Sequence, residues 1–160
     1  MLRFLLITIV LLIEGSNVQA CPFCDPAVLT RQAVYEGEHL VVLLDRSPRV
    51  EGHLLIVPKE HLLEAHELSF DAWFELRTFI RHAAAVFSEC LHIQAYTILE
   101  KNHCPQFQEI PHIHFHLFPV GDKRWEEVFN INPVRLDPEE LQQKVTLFQE
   151  YFNSVSEYTN

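Results

Sequence analysis

A chain of 160 residues, 48% hydrophobic and 21% charged, has the composition of an ordinary globular domain with room for one substantial core. Its 22 acidic residues outweigh 12 basic ones to a formal charge of -10, which repels a phosphate backbone over most of the surface and excludes duplex nucleic acid as a partner. A small phosphorylated ligand stays possible, because a pocket supplies its own donors, and ten histidines offer many.

Met1 to Ala20 reads as an export signal: Arg3 supplies the positive start, Phe4 to Ile13 is apolar except for Thr8, and Val18-Gln19-Ala20 places small residues at a cleavage site. The run is too short to span a bilayer comfortably, so a stable membrane span is expected only if the segment is retained as an anchor. Lipidation of Cys21 is a third reading. Residues 21–160 then form one domain, periplasmic or secreted if the signal is real and cytoplasmic otherwise.

Ala33-Val34-Tyr35, a turn at Glu36-Gly37-Glu38-His39 and Leu40 to Leu44 predict a β-hairpin. His53 to Val57 predicts a third strand, closed by Pro58. Ser69 caps a predicted helix in which Trp73, Leu76, Ile80, Ala84 and Phe87 recur at helical spacing. Ala95 to Leu99 and Ile113 to Val120 are strand candidates, joined by a loop from Lys101 to Pro111. Leu141, Val145, Phe148 and Phe152 mark a terminal amphipathic helix starting at Pro138 or Glu139. Strands and helices do not alternate strictly, which predicts an α+β fold: an antiparallel sheet of about five strands carrying one long helix and a C-terminal helix.

The chemistry concentrates in Pro111-His112-Ile113-His114-Phe115-His116-Leu117-Phe118-Pro119, where histidine alternates with an apolar residue three times. In an extended chain His112, His114 and His116 share one face, while Ile113, Phe115 and Leu117 turn to the core. A second constellation pairs Cys21 and Cys24 with the distant His61 and His112. Two thiolates and two imidazoles suit a structural Zn²⁺, whereas Cys-x-x-Cys in an exported chain is equally compatible with a disulfide. Cys90 and Cys104 are either free thiols or a bridge.

The alternating segment resembles the motif that names the histidine-triad (HIT) superfamily. The hairpin from Val34 to Asp45 and the run Gly52-His53-Leu54-Leu55-Ile56-Val57-Pro58-Lys59-Glu60-His61 resemble other parts of its pattern in order and spacing. The resemblance implies a HIT-like fold, a homodimer whose two sheets run together, and hydrolysis or transfer at the α-phosphorus of a nucleotide. By that resemblance His114 is the nucleophile that forms a covalent nucleotidyl-imidazole, His116 donates to a phosphate oxygen, and His53 stands beside the triad. Asp45 matches an acid that binds ribose hydroxyls, and Gln108 a glutamine at the phosphate bridge. Cys21, Cys24, His61 and His112 match the ligand set of a zinc-bearing branch, although cleavage after Ala20 would make Cys21 the new N terminus.

Within that class the expected activity is a nucleoside phosphoramidase-like hydrolase, the alternative a dinucleoside polyphosphate hydrolase, and the rival from another class a non-catalytic zinc- or nucleotide-binding module. The pre-triad loop departs from the family's pattern: Lys101 to Glu109 contains no glycine, and Phe107 and Glu109 replace smaller residues. Lys101 is either a cation near the leaving group or a solvated surface residue. Trp125 is expected to border the active site or a partner. His39, His66, His82, His92 and His103 read as surface or loop histidines.

Overall fold

The computed structural model describes residues 21–102 and 109–155. The signal segment, His103, Cys104, Phe107 and Gln108 therefore lie outside the described residues. Five strands form one antiparallel sheet: β1 (Ala33–Glu36), β2 (Leu40–Leu44), β3 (Leu54–Pro58), β4 (Tyr96–Glu100) and β5 (Phe115–Pro119), in the order β1-β2-β3-β5-β4. Four α-helices accompany it among the described residues: α1 (Pro26–Gln32), α2 (Phe70–Cys90), α3 (Trp125–Asn130) and α4 (Pro138–Ser154). No described helix is long and apolar enough to cross a membrane.

The expected α+β architecture holds, and its local causes are visible. Ser69 accepts from the Ala72 N–H to start α2, and Asp137 accepts from the Glu139 and Glu140 N–H groups to start α4, with Pro138 in the first turn. The core face of α2 runs through Leu76, Phe79, Ile80, Ala83, Val86 and Phe87; Ala83, not Ala84, occupies that stripe. Between this helix and the sheet lie Val42, Leu44, Leu54, Ile56, Ile113, Phe115 and Leu117, with Phe148 and Phe152 of α4 completing the core. Trp73 meets Phe115 edge to face at 5.6 Å. Glu75 of α2 reaches the hairpin turn, accepting from the His39 and Leu40 N–H groups at 2.8 and 3.2 Å. His82, expected at the surface, is buried in α2 and donates to the Val155 carbonyl at 2.9 Å, pinning the end of α4.

The other face of the sheet is covered in two separate patches. Phe23 and Leu29, from the N-terminal segment, pack on Val41, Leu43, Leu55 and Val57. Trp125 and Val128 of α3 pack on Phe118, Val120 and Leu99. The functional side chains lie between these patches. α1 and α3 were absent from the expectations drawn from sequence, each being too short for a periodic stripe to show. The start of α1 nevertheless carried its signal, since Asp25 accepts from the Ala27 N–H and Pro26 takes the first helical position.

Candidate active site and metal site

The alternating histidines do not line an open surface as a bare strand would. Regular pairing begins only at Phe115, where β5 joins β3 with His116 opposite Leu55; the preceding turn is held by the Ile113 N–H on the Leu62 carbonyl at 2.7 Å. His112 and His114 are buried beneath Phe23, whose ring meets theirs edge-on at 5.8 and 5.0 Å. The three imidazoles have different partners and are set up for different chemistry.

His112 turns toward the N-terminal segment. Its Nε2–H donates to the Pro58 carbonyl at 2.9 Å, so Nδ1 carries the lone pair. That Nδ1 lies 3.4 Å from Cys21 Sγ and 3.6 Å from Cys24 Sγ, while His61 Nδ1 lies 3.1 Å from Cys24 Sγ. One donor atom from each of Cys21, Cys24, His61 and His112 falls within 4.8 Å of all the others. Burial, above all, lowers the pKa of His112 to about 4, keeping the ring neutral. Burial raises the pKa of Cys24, and the neighbouring Cys21 thiol adds to this, so the bare thiol pair lacks a counter-charge. A divalent cation would supply one. Two soft sulfurs, two imidazole nitrogens and a tautomer fixed by a backbone carbonyl fit Zn²⁺.

His114 has the opposite arrangement. Its Nδ1–H donates to the His112 carbonyl at 2.8 Å, which leaves the lone pair on Nε2. Burial, chiefly, lowers its pKa, and the Lys101 charge adds to this, so the ring stays neutral. His116 Nδ1 and His53 Nε2 are 3.0 Å apart. His53 Nδ1 is 3.2 Å from Asp45 Oδ2, while Asp45 Oδ1 accepts from the Ser47 N–H at 2.8 Å. Gly52 makes this placement possible: its φ of +76° is left-handed, and a Cβ there would press on Leu91, Phe148 and Pro119 at 3.1 Å each. Phe118 stacks on His53 at 4.1 Å and lies nearly parallel to His116 at 5.7 Å, fixing both ring planes.

Burial above all depresses the pKa of His53 to about 3 and that of His116 to about 2, helped by Arg49 and Lys101. Burial also raises Asp45 above the ordinary carboxylate range, against the pull of the Ser47 N–H and the neighbouring cations. These groups line a cavity of about 280 Å³, whose lining also includes Phe23, Phe129 and Pro133. A preformed cleft of that size, with a neutral imidazole lone pair and further imidazoles beside it, can carry out nucleophilic attack on an electrophile held by hydrogen bonds.

A sequence model described as the HIT domain matches residues 27–123, well over half the chain. The chain belongs to the HIT family. This HIT chain is 33% identical over 121 residues to a HIT-like protein of Methanocaldococcus jannaschii, covering 73% of itself and 93% of that relative. It is 30% identical over 107 residues to the adenosine 5′-monophosphoramidase of Saccharomyces cerevisiae, covering 66% of itself and 65% of that enzyme. In fold it resembles a zinc-bound histidine triad family protein from Mycobacterium smegmatis, with a TM-score of 0.63 and 24% identity over 84% of this chain and 94% of that one.

The structure thus brings together His53, His114, His116 and Asp45 in one cavity and Cys21, Cys24, His61 and His112 in one cluster, while Gln108 lies outside the described residues. Lys101 is half-buried in the cavity wall rather than a solvated surface group, and the exposed Glu109 stands at the same cavity. Trp125 packs on Phe118 at 5.3 Å, behind the wall. Sequence reasoning missed Arg46, Arg49 and Phe129. Arg49 lies 5.4 Å from the Phe129 ring centroid and donates to the Phe129 carbonyl at 2.7 Å and to the Ile131 carbonyl, tying α3 to the β2–β3 turn. In sequence these arginines were only two charges in a turn.

Proposed function

We propose that this chain is a nucleotide hydrolase of phosphoramidase type, acting at the α-phosphorus through a nucleotidyl intermediate on His114. The observation that carries this reading is the Nδ1–H of His114 donating to the His112 carbonyl, which leaves Nε2 as a lone pair on a ring lining the cavity. Nε2 attacks the phosphorus, the P–Nε2 bond forms as the P–N bond to the amine breaks, and the departing nitrogen takes a proton from solvent that the hydrolytic water of the next step returns. Water then cleaves P–Nε2, returning neutral His114 and the nucleotide. His116 holds a phosphate oxygen beside it. A dinucleoside polyphosphate is the second reading, favoured by Arg46, Arg49 and Lys101 on the cavity wall.

Cys21, Cys24, His61 and His112 would hold a structural zinc ion, which supplies a counter-charge for the thiolates and fastens the Phe23 wall to the sheet. Two chains are proposed to pair through β4, whose outer edge has no strand beside it among the described residues. Export through residues 1–20 belongs to the same proposal and is tested by the mass of the mature N terminus.

The test of the chemistry is mass spectrometry of the protein mixed with adenosine 5′-phosphoramidate. A nucleotidyl adduct on His114, with turnover lost in His114→Ala and the fold retained, is expected. Turnover that survives in His114→Ala would overturn the reading.

A further inference from the structure

Lys101 follows directly on β4, and the sheet decides where it stands. β4 pairs antiparallel with β5 through Leu99 opposite His116 and Glu100 opposite Phe115. One further step in that register sets Lys101 opposite His114, on the same face as Leu99 and His116, because strand residues alternate sides. All four side chains line the cavity. The Lys101 charge is felt at His53, His114 and His116 alike. Although its side chain is half-buried, its ammonium has no hydrogen bond or ion pair with any described residue.

The proposed reaction calls for a proton at one place. Nε2 of His114 attacks the phosphorus from one side, and the amine departs from the other, roughly in line. The nitrogen of an alkylamine is too basic to depart as an anion, so it must be protonated as the P–N bond breaks. The other groups of the cavity are poorly suited to this. His53 and His116 are held neutral, chiefly by burial, and face each other at 3.0 Å. Asp45 is turned to the Ser47 N–H and His53, while Glu109 is exposed. Arg46 and Arg49 are guanidiniums, which do not give up protons, and Arg49 is already tied to the Phe129 and Ile131 carbonyls. Lys101 carries three N–H donors on a flexible four-carbon stem, which lets the ammonium pass the phosphorus and meet the departing nitrogen.

We propose that Lys101 is the general acid of the reaction, protonating the amine as it leaves. The P–Nε2 bond forms from the His114 lone pair, the P–N bond breaks, and its electron pair takes a proton from the Lys101 ammonium. The amine departs neutral. Lys101, now an amine itself, regains a proton from solvent, and hydrolysis of the P–Nε2 bond returns one, so the overall balance of the reaction is unchanged. This deepens the proposed hydrolase function and rests on it.

The experiment compares wild type, Lys101→Met and Lys101→Arg on two adenosine 5′-phosphate derivatives that differ only in the leaving group. One is the phosphoramidate of a simple alkylamine. The other is the p-nitrophenyl ester, whose phenolate departs without a proton. Lys101→Met is expected to lower kcat/KM on the phosphoramidate about 100-fold or more, with a far smaller loss on the ester. Lys101→Arg keeps the charge and withholds the proton, so it is expected to fail on the phosphoramidate as Lys101→Met does. Retained turnover of the ester shows that both variants are folded.

Equal losses on the two substrates in Lys101→Met, or a phosphoramidate rate restored in Lys101→Arg, overturn the proposal and leave Lys101 as a charge beside the phosphate. Unchanged rates on both substrates in both variants overturn it as well and leave Lys101 without a part in the reaction. Wild type that turns over neither substrate overturns the hydrolase reading itself, and the proposal with it.

Discussion

His112 and His114 are two residues apart, both buried under Phe23, yet they present opposite ring nitrogens. His112 gives its Nε2–H to the Pro58 carbonyl and turns Nδ1 to the cysteines; His114 gives its Nδ1–H to the His112 carbonyl and keeps Nε2 for the cavity. One alternating segment thus serves a metal cluster at one end and a reactive cavity at the other, and the backbone carbonyl within reach of each ring decides which. Residue type alone assigns neither role; the tautomer does.

The largest effect that would sharpen this comparison is on chemistry alone. His114→Ala is expected to lower turnover about a thousandfold or more, with zinc content unchanged, as read by steady-state kinetics and metal analysis. Equal loss of zinc would show that the two ends are not separable. At the other end, zinc at about 100 to 1,000 times its Kd is expected to stabilise the wild type by about 3–4 kcal/mol in denaturant unfolding, and Cys24→Ala to abolish that gain. Stabilisation that persists in Cys24→Ala would remove Cys24 from the ligand set.

A smaller effect tests the neutral state of the cavity histidines. His53 and His116 have native pKa values pushed down to about 3 and about 2, mainly by burial, against an ordinary value of 6.5. Below the ordinary value the unfolded chain takes up protons that the native rings refuse. Their contribution to stability is therefore full above pH 6.5 and is lost as pH falls from there toward those native values. The expected slope is at most about 1.4 kcal/mol per pH unit for each ring, read from denaturation midpoints. Flat stability through this range would mean the rings are solvated. The smallest effect lies at the α3 wall. Arg49→Ala removes the ties to the Phe129 and Ile131 carbonyls and is expected to cost about 1–2 kcal/mol, with faster amide exchange in α3.

Much of the site was legible early, for reasons that particular residues make plain. The histidine alternation encodes a strand period, and Ile113, Phe115 and Leu117 do enter the core as that period requires. Ser69 announced its helix through a side-chain oxygen that serves a backbone N–H, whereas the same role of Asp137 at the start of α4 was not read from the sequence. His82 misled because a histidine on a helix carries no mark of what will pack over it, and here the end of α4 does. Arg49 and Phe129 were missed because the turn and α3 meet only in the folded chain.

The sequence by itself determined the alternation of core and polar side chains, the two long helices, the family and the residue types available for metal and phosphate chemistry, since all of these are local patterns or motifs. Tertiary structure alone decided which ring nitrogen of His112 and of His114 is free, that Asp45, His53 and His116 come together, and that two separate coverings of the sheet leave a cavity between them. Those properties depend on carbonyls, carboxylates and aromatic planes brought together from distant parts of the chain, and a local pattern cannot encode such distances.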